Sequence, residues 1–145
     1  MNMDMSDVRR IAGGILENSD RIAYAKRGSA GQLHQVAYTL VDETTPHFEH
    51  FSDAYFADAL WRELILGLAG LPQPTCAVFK WVTLISTVHF CSAVTLEKDG
   101  DSYLHLTFAG EHSLSFKHSD HAKCLQDEKV IRKLYGDGVR PPSLC

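Results

Sequence analysis

The chain has 145 residues, 45% of them hydrophobic and 22% charged, with a formal net charge of −4. These values suit one average globular domain and exclude an intrinsically disordered chain, which needs less apolar content and more net charge. No basic stripe of the kind that nucleic-acid binders carry is visible, although distant lysines and arginines can still cluster in space.

The charge is uneven along the chain. Residues 42–63 hold Asp42, Glu43, Glu49, Asp53, Asp58 and Glu63 against Arg62 alone, a net of −5. The four cysteines, Cys76, Cys91, Cys124 and Cys145, include no CxxC pair, and Asp4 and Asp7 precede any apolar run. Free thiols, no secretion signal and a cytoplasmic location are therefore expected. The most apolar stretch, 76–96, is interrupted by Lys80, His89 and several hydroxyl residues and is rich in β-branched ones. Sheet strands account for it better than a membrane helix does.

In chain order, a first helix is expected over 6–18, with Val8, Ile11, Ala12 and Ile15 on one face. Gly13-Gly14 weakens it, and close approach of another element is one reason to tolerate the pair. Residues 22–26 suggest a short strand. Ser29 with Gln32 has the form of a capping box, and Leu33, Val36, Ala37, Leu40 and Val41 follow at helical spacing. A second helix is expected there, although 35–41 also contains strand-forming residues; Pro46 ends it. Ser52 reads as the N-cap of a third helix, with Asp53 in its first turn and Phe56, Ala59, Leu60, Leu64 and Leu68 on its apolar side.

Gly70, Pro72 and Pro74 then mark a change of organisation. Two strands are expected over 76–87 and 88–97. Asp99-Gly100 is the strongest turn signal, answered by a returning strand over 102–108 that alternates Tyr103, His105 and Thr107 with Leu104, Leu106 and Phe108. Leu114 and Phe116 suggest a last strand, 120–135 a closing helix, and 136–145 a loose tail. The fold class expected is α+β: an antiparallel sheet of three or four strands packed against N-terminal helices and one C-terminal helix. A single domain over 1–145 is expected, with 1–71 mainly helical and 76–135 forming the sheet and closing helix around a shared core.

Three groups of residues carry possible chemistry. His118, His121 and Cys124 lie three apart and are zinc-type ligands, but spacing of i, i+3, i+6 drifts off one helix face. Polar residues at a helix start with a half-buried cysteine explain them as well. His47 and His50, flanked by Glu49 and Asp53, suit metal binding or proton transfer, or equally an exposed polar loop. His89 and Cys91, with His105 on the neighbouring strand, could supply a Cys–His nucleophile, or simply line a half-solvated sheet. Gly28 to Gly31 lacks the lysine and spacing of a nucleotide loop. Trp61 reads as core more readily than as interface.

No family resemblance is carried by these residues. The leading functional expectation is a protein-binding domain of inhibitor or immunity type, more readily a non-enzyme. Asp42, Glu43, Glu49, Asp53 and Asp58 would attract a basic partner and an adjacent aromatic, Tyr55 or Phe51, would supply an anchor. The alternative is a small-ligand or metal-binding domain, an enzyme among its forms, with zinc at His118, His121 and Cys124 as its one suggested cofactor. A third reading is a structural subunit that self-associates through an uncovered sheet face or edge.

Overall fold

Helix α1 (Met5–Leu16) starts where Asp4 leaves the extended conformation. The Asp4 carboxylate accepts from the Ser6 and Asp7 amides at 2.9 and 3.1 Å, and the Asp7 carboxylate accepts from the Asp4 amide at 3.0 Å. That reciprocal cap satisfies donors which the first helical turn cannot satisfy itself. In the computed structural model, which describes residues 3–134, the chain divides into two compact units, Met1–Val88 and His89–Cys145. The expected tail 136–145 lies outside the described residues.

After α1, the first unit runs through β1 (Ile22–Ala30), β2 (Leu33–Leu40), β3 (His47–Phe51), α2 (Ala54–Leu68), β4 (Cys76–Phe79) and β5 (Thr83–Ser86). Its five strands form an antiparallel sheet in the order β3-β2-β1-β5-β4. Leu60, Leu64 and Leu68 of α2 and Val8, Ala12 and Ile15 of α1 are buried together with Ala25, Val36, Cys76 and Leu84 of the strands. Burying each large aliphatic side chain is worth about 1.5–3 kcal/mol. The helices pack tightly at Gly67, where an added Cβ would stand 2.6 Å from the Leu16 methyls. Around Gly13 and Gly14 there is open space, so the close approach suggested for that pair occurs on the other helix.

The second unit holds β6 (Phe90–Lys98), β7 (Asp101–Phe108), β8 (His112–His118) and α3 (His121–Leu134). The three strands are antiparallel in the order β6-β7-β8. Burial alternates along β7, with Ser102, Leu104, Leu106 and Phe108 inside, as the sequence pattern anticipates. Helix α3 buries Cys124 and Ile131 and also guards the free edge of β6. Glu128 accepts from the Thr95 amide at 2.7 Å, and Arg132 donates to the Ala93 carbonyl at 2.8 Å. Two side chains thus stand where another strand would pair, which blocks edge-to-edge association at that point.

The α+β class holds, but three expectations change. In place of one sheet of three or four strands there are two sheets, of five and three strands. The stretch 1–71, expected to be mainly helical, contains three strands between its two helices. The expected helix beginning near Ser29 is the β1–β2 hairpin, with Ala30 opposite Leu33 and Gly31 at φ +63. A left-handed residue there closes a two-residue turn and defeats the capping-box reading. The α2 cap also moves by one residue: Asp53, not Ser52, accepts from the Tyr55 amide at 2.9 Å.

Candidate functional site

The acidic segment 42–63 crosses β3 and enters α2, and the fold answers much of its charge from Arg21, just before β1, and from Arg27 within it. Arg21 donates through Nε to Asp42 Oδ2 at 3.0 Å and through Nη2 to Asp42 Oδ1 at 2.9 Å. The same Nη2 reaches Glu43 at 3.1 Å, and Nη1 reaches the Asn18 side chain at 2.6 Å. The hydrogen bond from Arg21 holds the Asp42 carboxyl below the ordinary carboxylate range, and Asp42 in turn raises Arg21. Glu43 also meets His47 Nε2 at 2.8 Å, and His47 stacks on Tyr38 with ring centroids 4.8 Å apart. Burial, reinforced by Glu49 and Glu43, raises the Tyr38 phenol. Asp42, Glu43 and His47 therefore form an internally satisfied corner.

Asp58 on α2 meets Arg27 Nε at 2.9 Å. The Arg27 side chain is only 13% exposed, while Asp58 remains open to solvent. Glu49 lies on β3, opposite Val36 of β2, and Asp53 is the α2 cap. Tyr55 is 63% exposed in the first turn of α2. Helical spacing puts Tyr55, Asp58 and Arg62 along one side of α2, and all three are exposed. Of the six expected contact residues, Asp53, Tyr55 and Asp58 thus share the start of one helix, whereas Asp42 and Glu43 occupy the β2–β3 connection.

Trp81, like Trp61 and Tyr55, is a large aromatic that suits core or interface, and it falls inside the strand expected over 76–87. The structure breaks that strand into β4 and β5 around a three-residue loop, with Phe79 opposite Thr83. Trp81 is 76% exposed, and Val82 beside it is exposed as well. Lys80 and Trp81 both have positive φ, at 54° and 64°. That region is uncommon for any side-chain-bearing residue and more so for a bulky one. The loop is fastened to neighbouring elements through its backbone. Trp61 Nε1 of α2 donates to the Trp81 carbonyl at 2.6 Å, and the Arg27 amide donates to the Val82 carbonyl at 2.9 Å. Trp61 itself is buried, in keeping with the core reading. Arg27 thus joins the loop to Asp58, and the exposed tryptophan stands at the same end of the unit as the α2 acidic side.

In the second unit, His118 Nε2 meets Asp127 at 2.7 Å and its Nδ1 meets the Phe116 carbonyl at 3.2 Å. Both ring nitrogens of His118 are thus within hydrogen-bonding distance of protein oxygens. His121 Nδ1 lies 2.9 Å from Ser102 Oγ and 3.1 Å from Glu97, and buried Cys124 faces Thr95 Oγ1 at 3.6 Å. The three suggested zinc ligands each have a different partner, and among the described residues no group of three or more His, Cys, Asp or Glu is placed to hold a metal ion. His50 bonds Gln35 at 2.9 Å and His105 bonds Ser115 at 2.8 Å. Cys76 and Cys124 are free, but Cys91 is disulfide-bonded. The expectation of free thiols fails at that residue, and with it the argument from cysteines to a reducing compartment. It also removes the Cys91 thiolate from any Cys–His pairing.

Among the described residues no helix is long and apolar enough to cross a membrane. Compared with known protein families, curated proteins and solved structures, the chain matches no family model, no curated protein and no solved structure.

Proposed function

We propose that the chain is a protein-binding domain whose contact surface combines the Trp81 loop with the acidic start of α2. One observation carries this reading: Trp81 is 76% exposed on a loop that keeps two consecutive non-glycine residues in the left-handed region. Nothing in the core benefits from a tryptophan held that way, and exposed aromatic residues are the commonest anchors of protein interfaces. Asp53 and Asp58 on α2 supply negative charge for a basic partner. Because Arg27 offsets Asp58 and Arg21 offsets Asp42 and Glu43, the aromatic contact carries more of the affinity than residue counting over 42–63 implies. Inhibitor or immunity-type proteins work in this manner, and the proposal extends no further than that class.

The test is native mass spectrometry of the protein purified gently from its own cells. A second chain should accompany the wild type, be lost on Trp81→Ala, and survive Leu125→Ser in the other unit. Reversing Asp53 and Asp58 to lysine should weaken the complex less than Trp81→Ala does. A companion chain indifferent to Trp81 would overturn the reading, and a wild-type homodimer sensitive to Trp81 would redirect it to self-association. The metal-binding alternative has no converging ligands among the described residues. Small-ligand binding has one observation in its favour, a depression in the second unit.

A further inference from the structure

The face of the β6–β8 sheet opposite its buried β7 residues carries a solvent-open depression of about 420 Å³, lined by Leu96, Lys98, Asp99, Tyr103 and Ser115. Its volume falls within the range of small-molecule sites. The register explains the lining. Leu96 stands opposite Tyr103, and Ser115 opposite His105 one row along, so an apolar pair and a polar pair are neighbours on one surface. Lys98 and Asp99 close the end of the depression where β6 enters its turn.

Two features make this more than a dent. The nearby charges Lys117 and Asp101 pair with each other at 3.4 Å, yet among the described residues neither the Lys98 nor the Asp99 side chain has an ion-pair or hydrogen-bonding partner. One unpartnered cation and one unpartnered anion therefore border an aliphatic and an aromatic wall. The Ser115 hydroxyl lies 2.8 Å from His105 Nδ1. When that nitrogen carries its proton, the hydroxyl hydrogen is free to donate into the depression. An anion alone would meet repulsion from Asp99, and a cation alone repulsion from Lys98. A molecule carrying both charges next to an apolar group complements Lys98, Asp99, Leu96 and Tyr103, with Ser115 at the far end of the apolar wall.

We propose that this depression binds a small zwitterion with an apolar side chain, of the chemical class of free amino acids. The carboxylate goes to Lys98, the ammonium to Asp99, and the side chain to Leu96 and Tyr103, pointing toward Ser115. The inference stands independently of the protein-binding reading, since none of its residues belongs to the Trp81 loop or to α2.

The experiment is an amide-resolved NMR titration of the full chain with L-phenylalanine, with phenylacetate and phenethylamine as probes that each lack one charge. Saturable shifts are expected at 96, 98, 99, 103 and 115, with each single-charge probe binding about tenfold more weakly, the effect of one lost charged contact. Lys98→Gln should cost phenylalanine about tenfold and leave phenethylamine unchanged or tighter. Asp99→Asn should cost phenylalanine about tenfold and leave phenylacetate unchanged or tighter. Asparagine tolerates the left-handed backbone at position 99, so this variant keeps the turn. Absence of saturable shifts at these residues, equal affinity for the three probes, or variants without effect would each overturn the proposal. Loss of a protein partner on Trp81→Ala reads the other unit, so the two readings fail separately.

Discussion

The two hairpins at Lys80–Val82 and at Asp99–Gly100 solve the same problem with opposite chemistry. Asp99 at φ 53° and Gly100 at φ 84° place in the left-handed region two of the residue types that tolerate it best. Lys80 and Trp81 occupy the same region with a long chain and a bulky ring. The Asp99–Gly100 turn reverses the chain at little cost. The Lys80–Val82 loop costs about 1–2 kcal/mol per residue in backbone strain, and is held by hydrogen bonds from Trp61 and Arg27. A turn whose residues suit it needs only a folding explanation, whereas one whose residues oppose it points to what the side chains do outside the fold.

The largest effect should come from making the easy turn resemble the hard one. At Gly100 an added Cβ meets no heavy atom within 4 Å, so Gly100→Val tests backbone strain without a clash. It should lower stability by about 2 kcal/mol, read from the denaturant midpoint at unchanged slope. A change below about 0.5 kcal/mol would mean that left-handed backbone is cheap in this protein, and the strain argument for Trp81 would lose its weight.

The same contrast explains what could be read from the sequence. Asp99-Gly100 was legible because the residue types name the turn, and β7 was legible because one face is buried and the other is not. Helices α1 and α2 followed from their apolar spacing. The β1–β2 hairpin was not legible: Leu33, Val36, Ala37 and Leu40 fit a helical period, and the strand's mixed burial leaves no clean alternation. Strand β3 is an edge strand with polar residues at Glu49 and His50, which read equally well as a loop. The neutralisation of the acidic segment was hidden for a different reason. Arg21 lies 21 residues before Asp42, and Arg27 31 residues before Asp58, so a charge count within the segment misses both. The turn at Trp81 was missed because Phe79, Trp81, Val82 and Thr83 are all good strand formers and nothing in them announces a turn.

A pH titration probes the strand that leads into the strained hairpin. Cys76 begins β4, and burial pushes its thiol from 9.0 up to about 12. Between these values the unfolded chain gives up the proton while the folded chain keeps it, so the unfolded state binds fewer protons. Stability should therefore fall as pH rises through this window, with a limiting slope of about 1.4 kcal/mol per pH unit. Cys76→Ala should be less stable than wild type at neutral pH and should lose this part of the slope, leaving that of Tyr38, whose phenol is also raised. Parallel slopes for the two proteins between pH 9 and pH 11 would place the Cys76 thiol within reach of water.

The smallest effect is the one that decides most about Trp81. Both loop fastenings are made to backbone carbonyls, those of Trp81 and Val82, so Trp81→Asn removes the ring and leaves both acceptors in place. Asparagine enters the left-handed region more readily than tryptophan, and the ring it replaces is mostly in water, so little burial is lost. The variant should gain up to about 1 kcal/mol in stability. If it instead loses that much, the ring supports the fold and its exposure no longer argues for a partner. If it gains stability and also loses the companion chain, the tryptophan is kept at the expense of the fold, as the stability–function trade-off leads one to expect of a contact residue.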